Sequence, residues 1–557
     1  MKQYKITMII LGFLSGILMS IPYLVPHTGV LALVGLVPLL AMERIGSEMG
    51  TRHFCLWHYL TFVLWNAITT FWVCNATVGG GIFAILANSL QMSLVFGLFR
   101  QSKKYFKGSM PYIFLAAAWI AWEKWYLDYA DISWPWLVLG NSFAGSIRSI
   151  QWYEFTGTLG GSLWIWLCNL SIFGLMVSLS DGSWQMTWNK KAKTAAITGT
   201  VLLFTLPFAI SGIIWHNYDE EEDPVEVFIT QPNIDPYHKF QSLSQGEQDA
   251  IVTDIIHSEL EDRYCPVGDS LASAKSSNEP ILILAPETFT SYMLCDQIYK
   301  NHTWDHFVTL LKDYPGVNML FGASTYERIE SRTAPSPVAR NIGKDLWIKS
   351  HNSALCIDGT GRTDLFHKNK LVVGVEMTPY PKLFTKIDDL LGGVIGRCEG
   401  QGDVTLMNLT TYDQDRHIAG KIPFGSAICY ESVYGNYYRE YSLKGAEFMT
   451  IITNDAWWGD TPGYMQHLRY ASLRAIESRR SIARCANTGI SALINQKGQI
   501  LEKTQWWEKD SLRGKINMND KMTFFTTQGD MVGRVCVLIF ILFAVGLVSH
   551  IFRKGRN

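Results

Sequence analysis

Charge is scarce in this chain. Only 17% of its 557 residues are Asp, Glu, Lys or Arg, against about 25% in a typical soluble domain, so a sizeable part of the chain does not face water. Nor is there an excess of one sign. Forty-eight basic and 49 acidic residues leave a net charge of -1, which excludes a dedicated nucleic-acid binder, whose footprint is a basic excess or stripe. Cysteine is sparse too. Ten in so long a chain do not make a disulfide scaffold, and no C-x-x-C pair points to zinc or thioredoxin-type redox chemistry. What the chain does have is apolar material, 48% hydrophobic with 20 Trp. That excludes intrinsic disorder, and the length allows two or three domains. The composition is that of a membrane protein with a large water-soluble part.

A lipid-spanning helix needs about 20 mostly apolar residues. Apolar runs stand near 6–25, 29–42, 56–76, 80–99, 111–127, 158–180 and 194–214. After Trp215 the hydropathy collapses for roughly 300 residues, and one last run, Val535 to Phe552, follows. Eight spans are expected. Lys2 and Lys5, Arg44 and Arg52, Arg100 to Lys107, Lys190 to Lys193, and Arg553 to Arg556 then all fall on one side, leaving Arg148 nearly alone on the other. By the positive-inside rule both termini are cytoplasmic and the 215–530 region is outside. The first run carries no small-x-small cleavage site in Ser20-Ile21-Pro22-Tyr23-Leu24, so it is expected to stay as a span. Glu123 and Lys124, in the fifth run, are expected to snorkel or to pair with each other, or else to line a polar path. Trp134, Trp136 and Trp152 read as an interfacial aromatic belt.

The expected domains are a membrane domain at 1–216, an acidic linker at 217–224, an outer domain at 225–530 and a last span with a basic tail at 531–557. In the outer domain, VEVFITQ at 225–231 and ILILA at 281–285 read as strands, the second apolar throughout and so buried on both faces. Helical stretches near 244–263 and 304–313 separate strands at 318–322, 352–357 and 363–367, the last two joined through Asp358-Gly-Thr-Gly361. Strands ending at Tyr430 and covering 448–453 follow, then a helix from about 464 to 484. This alternation predicts an α/β domain around a mixed sheet. Residues 329–346 read as a polar inserted loop. Residues 386–403, with five glycines, read as a mobile loop or as a lid that dips toward the bilayer.

Three positions put a reactive group at the end of an apolar strand. Glu287 follows ILILAP, Lys368 ends the second strand of a hairpin, and Cys429 lies where an apolar strand runs into a turn and helix. A buried carboxylate is costly unless paired or kept for proton transfer. A strand-to-turn cysteine can expose a nucleophile while backbone N–H groups face an oxyanion. Alone, each residue has a bland reading as core or solvated loop. The ordered set of three is what carries the chemistry.

APETF, FHKNKLV followed by Gly374-Val-Glu376, AICYE, and Thr453-Asn-Asp-Ala-Trp-Trp-Gly-Asp460 together resemble the nitrilase (carbon-nitrogen hydrolase) superfamily. With eight spans, and with NDAWWGD running on to Gln466-His-Leu468 and Arg474-Ala-Ile-Glu477, the chain looks like that superfamily's membrane-embedded apolipoprotein N-acyltransferase branch. The resemblance covers essentially the whole chain. It implies a polytopic α-helical membrane domain plus a four-layer α/β/β/α nitrilase-like domain. It also implies a triad of Glu287 as general base and acid, Lys368 as electrostatic stabiliser and Cys429 as nucleophile. Glu376, Tyr430 and Glu431 occupy further motif positions of the site. The family's Trp shortly after the first strand is Phe240 here. Trp457 and Trp458 read as pocket wall and His467 as a hydrogen-bond partner. No metal and no cofactor are expected.

The activity so implied is transfer of a fatty acyl chain from a membrane phospholipid, through a Cys429 thioester, to the α-amino group of an S-diacylglyceryl cysteine on an apolipoprotein. The expected setting is a bacterial inner membrane, with the catalytic domain on the periplasmic side and the chain a monomer. The competing readings are a membrane-anchored amidase hydrolysing a C–N bond with the same triad, and an inert transporter or scaffold. Cys265, Cys295, Cys356, Cys398 and Cys485 share the outer compartment with Cys429, where a disulfide could form.

Overall fold

The computed structural model describes residues 2–180, 190–220, 222–236, 243–264, 280–314, 316–390, 396–413 and 417–554. The chain divides into two compact units. One holds Met1–Tyr218, Thr461–Leu473 and Thr523–Asn557, the other Asp219–Asp460 and Arg474–Met522.

In the first unit every one of the eight apolar runs is helical. Among the described residues six helices are long and apolar enough to cross a membrane: Gln3–Leu24, Gly29–Glu48, Val78–Ser102, Tyr153–Ser178, Lys190–Asn217 and Met531–Ser549. The other two runs form Phe54–Thr70, which has only 17 residues, and Met110–Asp128, whose last turns hold Glu123, Lys124 and Asp128. The sixth run starts at a backbone break. Gly157 sits at φ 62°, and a Cβ there would lie 2.3 Å from the Phe525 ring, so only glycine fits this corner.

Between the fifth and sixth runs the backbone at 135–149 makes only short 3-10 turns, and residues 135–144 are buried. Buried backbone without regular pairing needs other partners, and side chains supply them. Tyr23 Oη donates to Val138 O at 3.0 Å, Tyr153 Oη to Gly140 O at 3.0 Å and Tyr470 Oη to Trp136 O at 2.8 Å. Glu123 Oε1 accepts from Leu139 N at 3.0 Å and from Trp119 Nε1 at 3.1 Å, while Ser162 Oγ accepts from Gly140 N at 3.0 Å. Glu123 and Lys124 therefore do not pair with each other, since Lys124 bonds Asp128 at 2.7 Å instead. Trp136 is not part of an interfacial belt either. It is 1% exposed, and its Nε1 donates to Gln466 Oε1 at 2.7 Å.

The second unit is built on two mixed sheets, where strand-helix alternation had suggested one. Its strands are β1 Pro224–Gln231, β2 Ile281–Leu284, β3 Thr290–Leu294, β4 Val317–Glu330, β5 Arg340–Gly343, β6 Leu346–Asp358, β7 Thr363–His367, β8 Met407–Tyr412, β9 Ile418–Ile428, β10 Phe448–Thr453, β11 Ile482–Ala486, β12 Ala492–Ile494, β13 Ile500–Lys503 and β14 Asp510–Asn517. One sheet runs β14-β1-β2-β4-β6-β5, with β3 on β4 and β7 on β6. The other runs β13-β12-β11-β10-β9-β8. Each has three parallel central strands, β1-β2-β4 and β9-β10-β11. Those strands are the apolar runs of the sequence, as expected of strands covered on both faces. The helices Gln245–Tyr264 and His302–Leu311 cover the first sheet through Val252, Ile256, Phe307 and Leu311, packed on Ile281, Ile283, Met319 and Phe321.

Two local expectations are corrected. The 329–346 segment is the tip of a long hairpin, β4 pairing with β6 out to Glu330↔Leu346 and β5 adding a third strand. Most of that tip is exposed, with only Val338 and Ala339 buried, so no apolar alternation marks it. The helix expected to reach 484 ends at Ser478, because Arg479 adopts φ 49°, and Ile482–Ala486 is the fully buried β11.

Candidate active site

Strand ends of both sheets carry the candidate residues of the second unit. Glu287 lies just past β2, in a turn where Thr288 takes φ 50° and Gly322 N of β4 donates to Pro286 O at 3.1 Å. A Cβ on Gly322 would stand 2.6 Å from Glu287 Cα, so glycine is what lets this turn lie against β4. Lys368 follows β7, and its backbone N donates to Asn352 O of β6 at 2.8 Å. Cys429 opens a 3-10 turn, Cys429–Val433, directly after β9 and sits at φ 52°. For a residue with a Cβ this left-handed conformation is strained.

The side chains form a buried ion network. Lys368, 1% exposed, donates through Nζ to Glu287 Oε1 at 3.0 Å and to Glu376 Oε1 at 2.9 Å. Asn352 bridges the same two carboxylates, Nδ2 donating to Glu287 Oε1 at 2.7 Å and to Glu376 Oε1 at 2.6 Å. Glu287 Oε2 accepts from Asn454 N at 3.1 Å, and Glu376 Oε2 from Val372 N at 2.7 Å. Burial by itself would pull the Lys368 ammonium down, but Glu287 and then Glu376 hold it well above its usual value. Burial, reinforced by the Glu287 charge and opposed by Lys368, pushes the Cys429 thiol well up. The resting sulfur is therefore protonated, and it needs a base to become a nucleophile.

Glu431 stands behind Cys429 as a backbone clamp. Its Oε2 accepts from Ile428 N at 2.9 Å, and its Oε1 from Asn369 N at 2.7 Å and from Tyr437 Oη at 2.8 Å. One carboxylate thus ties the Cys429 turn to the segment that follows Lys368. Burial raises its pKa, against the pull of those N–H donors. Tyr430 is buried with its ring edge-on to Tyr434 at 5.2 Å.

Trp457 and Trp458 are half-buried in the short turn after β10. Asp455, which opens that turn, pairs with Arg484 at 2.7 Å, both fully buried, and its carboxylate oxygen is within 4.8 Å of Cys429 Sγ. His467 belongs to the first unit, where its ring stands 5.7 Å from Trp136. Phe240 lies outside the described residues. So do residues 391–395 of the expected loop or lid. Before them is the helix Pro381–Leu390, and after them the chain is pinned to the site, with Cys398 N donating to Glu376 O at 2.7 Å and Glu399 N to Ser350 O at 2.9 Å. The described cysteines are all free thiols, and Cys265 is not among them.

Asn352 and the Asp455–Arg484 pair escaped the sequence reading. An asparagine at an inward position of an apolar strand, in His351-Asn-Ser-Ala-Leu-Cys356, was the available signal: a buried amide needs buried partners.

Comparisons with known proteins place this chain in a family. The chain belongs to the carbon-nitrogen hydrolase family, whose model matches residues 188–521. The model described as the apolipoprotein N-acyltransferase N-terminal domain matches residues 15–171. An apolipoprotein N-acyltransferase of Chlorobaculum tepidum is 26% identical over 95% of this chain and 94% of that protein. Another from Geobacter metallireducens is 24% identical over 95% of this chain and 93% of that protein. Among solved structures, Saccharomyces cerevisiae Nit3, a member of branch 10 of the nitrilase superfamily, is 14% identical with a TM-score of 0.34, covering 53% of this chain and 90% of that one.

Proposed function

We propose that this chain is a membrane N-acyltransferase that moves a fatty acyl chain from a phospholipid to the free α-amino group of an S-diacylglyceryl cysteine at the N-terminus of an apolipoprotein. The observation that carries the reading is the buried Glu287–Lys368–Glu376 network next to Cys429, in a chain that also holds the N-acyltransferase N-terminal domain.

Glu287 takes the Cys429 proton, and the thiolate attacks the ester carbonyl of the phospholipid. The Lys368 ammonium and the N–H of Tyr430 face the oxyanion; losing one such donor costs about 3 kcal/mol. When the tetrahedral intermediate collapses, the ester C–O bond breaks and Glu287 returns the proton to the departing lysophospholipid oxygen. The thioester on Cys429 waits for the acceptor amine. An α-amino group ordinarily titrates at about 7.7–8.0, which leaves a useful neutral fraction near pH 7. Glu287 accepts the amine's proton, the C–S bond breaks and the thiol is restored. Glu376 and Asn352 keep Lys368 charged and in place. Trp457 and Trp458 wall the acyl path.

The same reading has eight spans, a four-layer α/β/β/α outer domain at 225–530 and both termini in the cytoplasm. The catalytic domain then lies on the periplasmic side of a bacterial inner membrane, and the chain acts as a monomer.

The test is to incubate the purified chain with labelled phospholipid and no acceptor, then look for an adduct by mass spectrometry. A thioester on Cys429 that moves to a diacylglyceryl peptide amine is the expected result. Prompt release of free fatty acid would favour an amidase-like hydrolase, and no adduct at all an inert domain.

A further inference from the structure

A groove of about 730 Å³ runs through the first unit, among the helices Met110–Asp128, Tyr153–Ser180, Lys190–Asn217 and Met531–Lys554. Its walls are almost wholly apolar, with small residues such as Ala117, Gly174 and Gly199 where a bundle would normally interlock larger ones. A Cβ on Gly174 or Gly199 would meet no heavy atom within 4 Å, so these positions face open space. On the Tyr153–Ser180 helix the lining runs from Leu163 to Leu175, about 18 Å at about 1.5 Å per residue. One leaflet of a hydrocarbon core roughly 30 Å thick supplies about 15 Å. The groove therefore has the length of one acyl chain.

Two of the four walls are the helices by which the chain leaves and re-enters this unit. They are thinly packed: 6% of the apolar window of Lys190–Asn217 and 11% of that of Met531–Ser549 is buried. At one end of the groove lie Ser109 and Ala196. Just beyond are Lys107, two residues before Ser109, and Lys190, Lys191 and Lys193 in the first turn of the Lys190–Asn217 helix, all exposed. Cations at a helix N-terminus oppose the macrodipole, so these lysines weaken their own helix while concentrating positive potential at the mouth of an apolar slot. An apolar slot of chain length with a cationic mouth is complementary to an anionic phospholipid.

We propose that this groove holds an acyl chain of a resident anionic phospholipid, its headgroup at Lys107 and Lys190 to Lys193, which ties the two connecting helices to the bundle. This lipid is a structural ligand and not the acyl donor, so the proposal does not depend on the proposed reaction.

The experiment takes the full chain in detergent, equilibrates it with an equimolar mixture of phosphatidylglycerol and phosphatidylethanolamine, and counts retained lipid by native mass spectrometry. One retained lipid per chain is expected, with phosphatidylglycerol preferred at least fivefold. Gly199→Phe, whose ring enters open space, should cut retention at least tenfold. Leu202→Phe, on the same helix but outside the lining, should leave it unchanged. Replacing Lys190, Lys191 and Lys193 by Gln should remove the headgroup preference. Full retention in Gly199→Phe, equal loss in Leu202→Phe, a wild type indifferent to headgroup or free of lipid, or a second copy of the chain in place of lipid would each overturn the proposal.

Discussion

Both units bury polar side chains, and two clusters differ in what they meet: those around 136–140 in the first unit bond backbone, while Lys368 and Asn352 in the second are shared between two carboxylates. Tyr23, Glu123, Tyr153, Ser162 and Tyr470 each bond a main-chain group of the 136–140 stretch. Irregular backbone is then stable inside an apolar bundle, because the carbonyls of Trp136, Val138 and Gly140 each have a side-chain donor. In the second unit Lys368 and Asn352 are each shared between Glu287 and Glu376. Burial first, and the Glu287 charge second, hold the neighbouring thiol well above its usual range. Polar burial of the first kind fixes a shape; burial of the second kind holds a carboxylate pair and an ammonium beside a thiol.

That contrast can be broken experimentally, and the largest effect is expected at the thiol. Cys429→Ala should lower acyl transfer by at least about a thousandfold with an unchanged thermal midpoint; normal turnover would remove the sulfur from the reaction. Next comes the network. Asn352→Ala frees both carboxylates from a shared donor and should slow thioester formation by roughly 5- to 150-fold, equivalent to about 1–3 kcal/mol. A matching loss with Glu376→Gln, and no further loss in the double variant, would show that both act through Lys368. In the first unit the sign of the experiment reverses. Tyr153→Phe strands a buried carbonyl at Gly140 and should cost about 1–3 kcal/mol of stability while the intrinsic rate of Cys429 acylation stays within about twofold. A rate loss exceeding the stability loss would mean the two kinds of burial are not separable.

Two pH dependences give smaller effects. Because the Cys429 thiol is held well above its usual range, alkylation by iodoacetamide should keep climbing through pH 9; a plateau near neutrality would contradict the protonated resting state. His367, stacked on His351 at 4.1 Å, is lowered by burial, and next by His351, from 6.5 to about 4. The unfolded chain then takes up a proton that the folded chain refuses between about pH 6.5 and about pH 4. Stability falls as pH drops through that window and levels off below it. His367→Gln should flatten that part of the curve of thermal midpoint against pH.

Much of this was legible in the residues. Continuous apolar strands such as ILIL and FMTIIT announce themselves because burial on both faces removes alternation. Glu287 and Cys429 stand out because each follows a largely apolar strand, whereas Lys368 follows the half-exposed β7, and all eight apolar runs became helices. Other features were not legible. The hairpin tip at 329–346 is mostly exposed and carries no apolar alternation, and the end of the 462–478 helix depends on one left-handed residue, Arg479. Trp136 was misplaced because a tryptophan in an outer loop looks alike whether it faces lipid or the Gln466 amide.

The sequence by itself determined which segments are apolar enough for lipid and which strands are central, and it singled out three candidate side chains, since each follows from local hydropathy and residue chemistry. Only the tertiary structure decided that Asn352 and Glu376 share Lys368 with Glu287, and that burial and the Glu287 charge lift the Cys429 thiol well above its usual range. Those outcomes depend on which groups meet across long separations, and on the loss of water when they do. A shared proton or a desolvated charge belongs to an arrangement in space, which no local stretch of residues encodes.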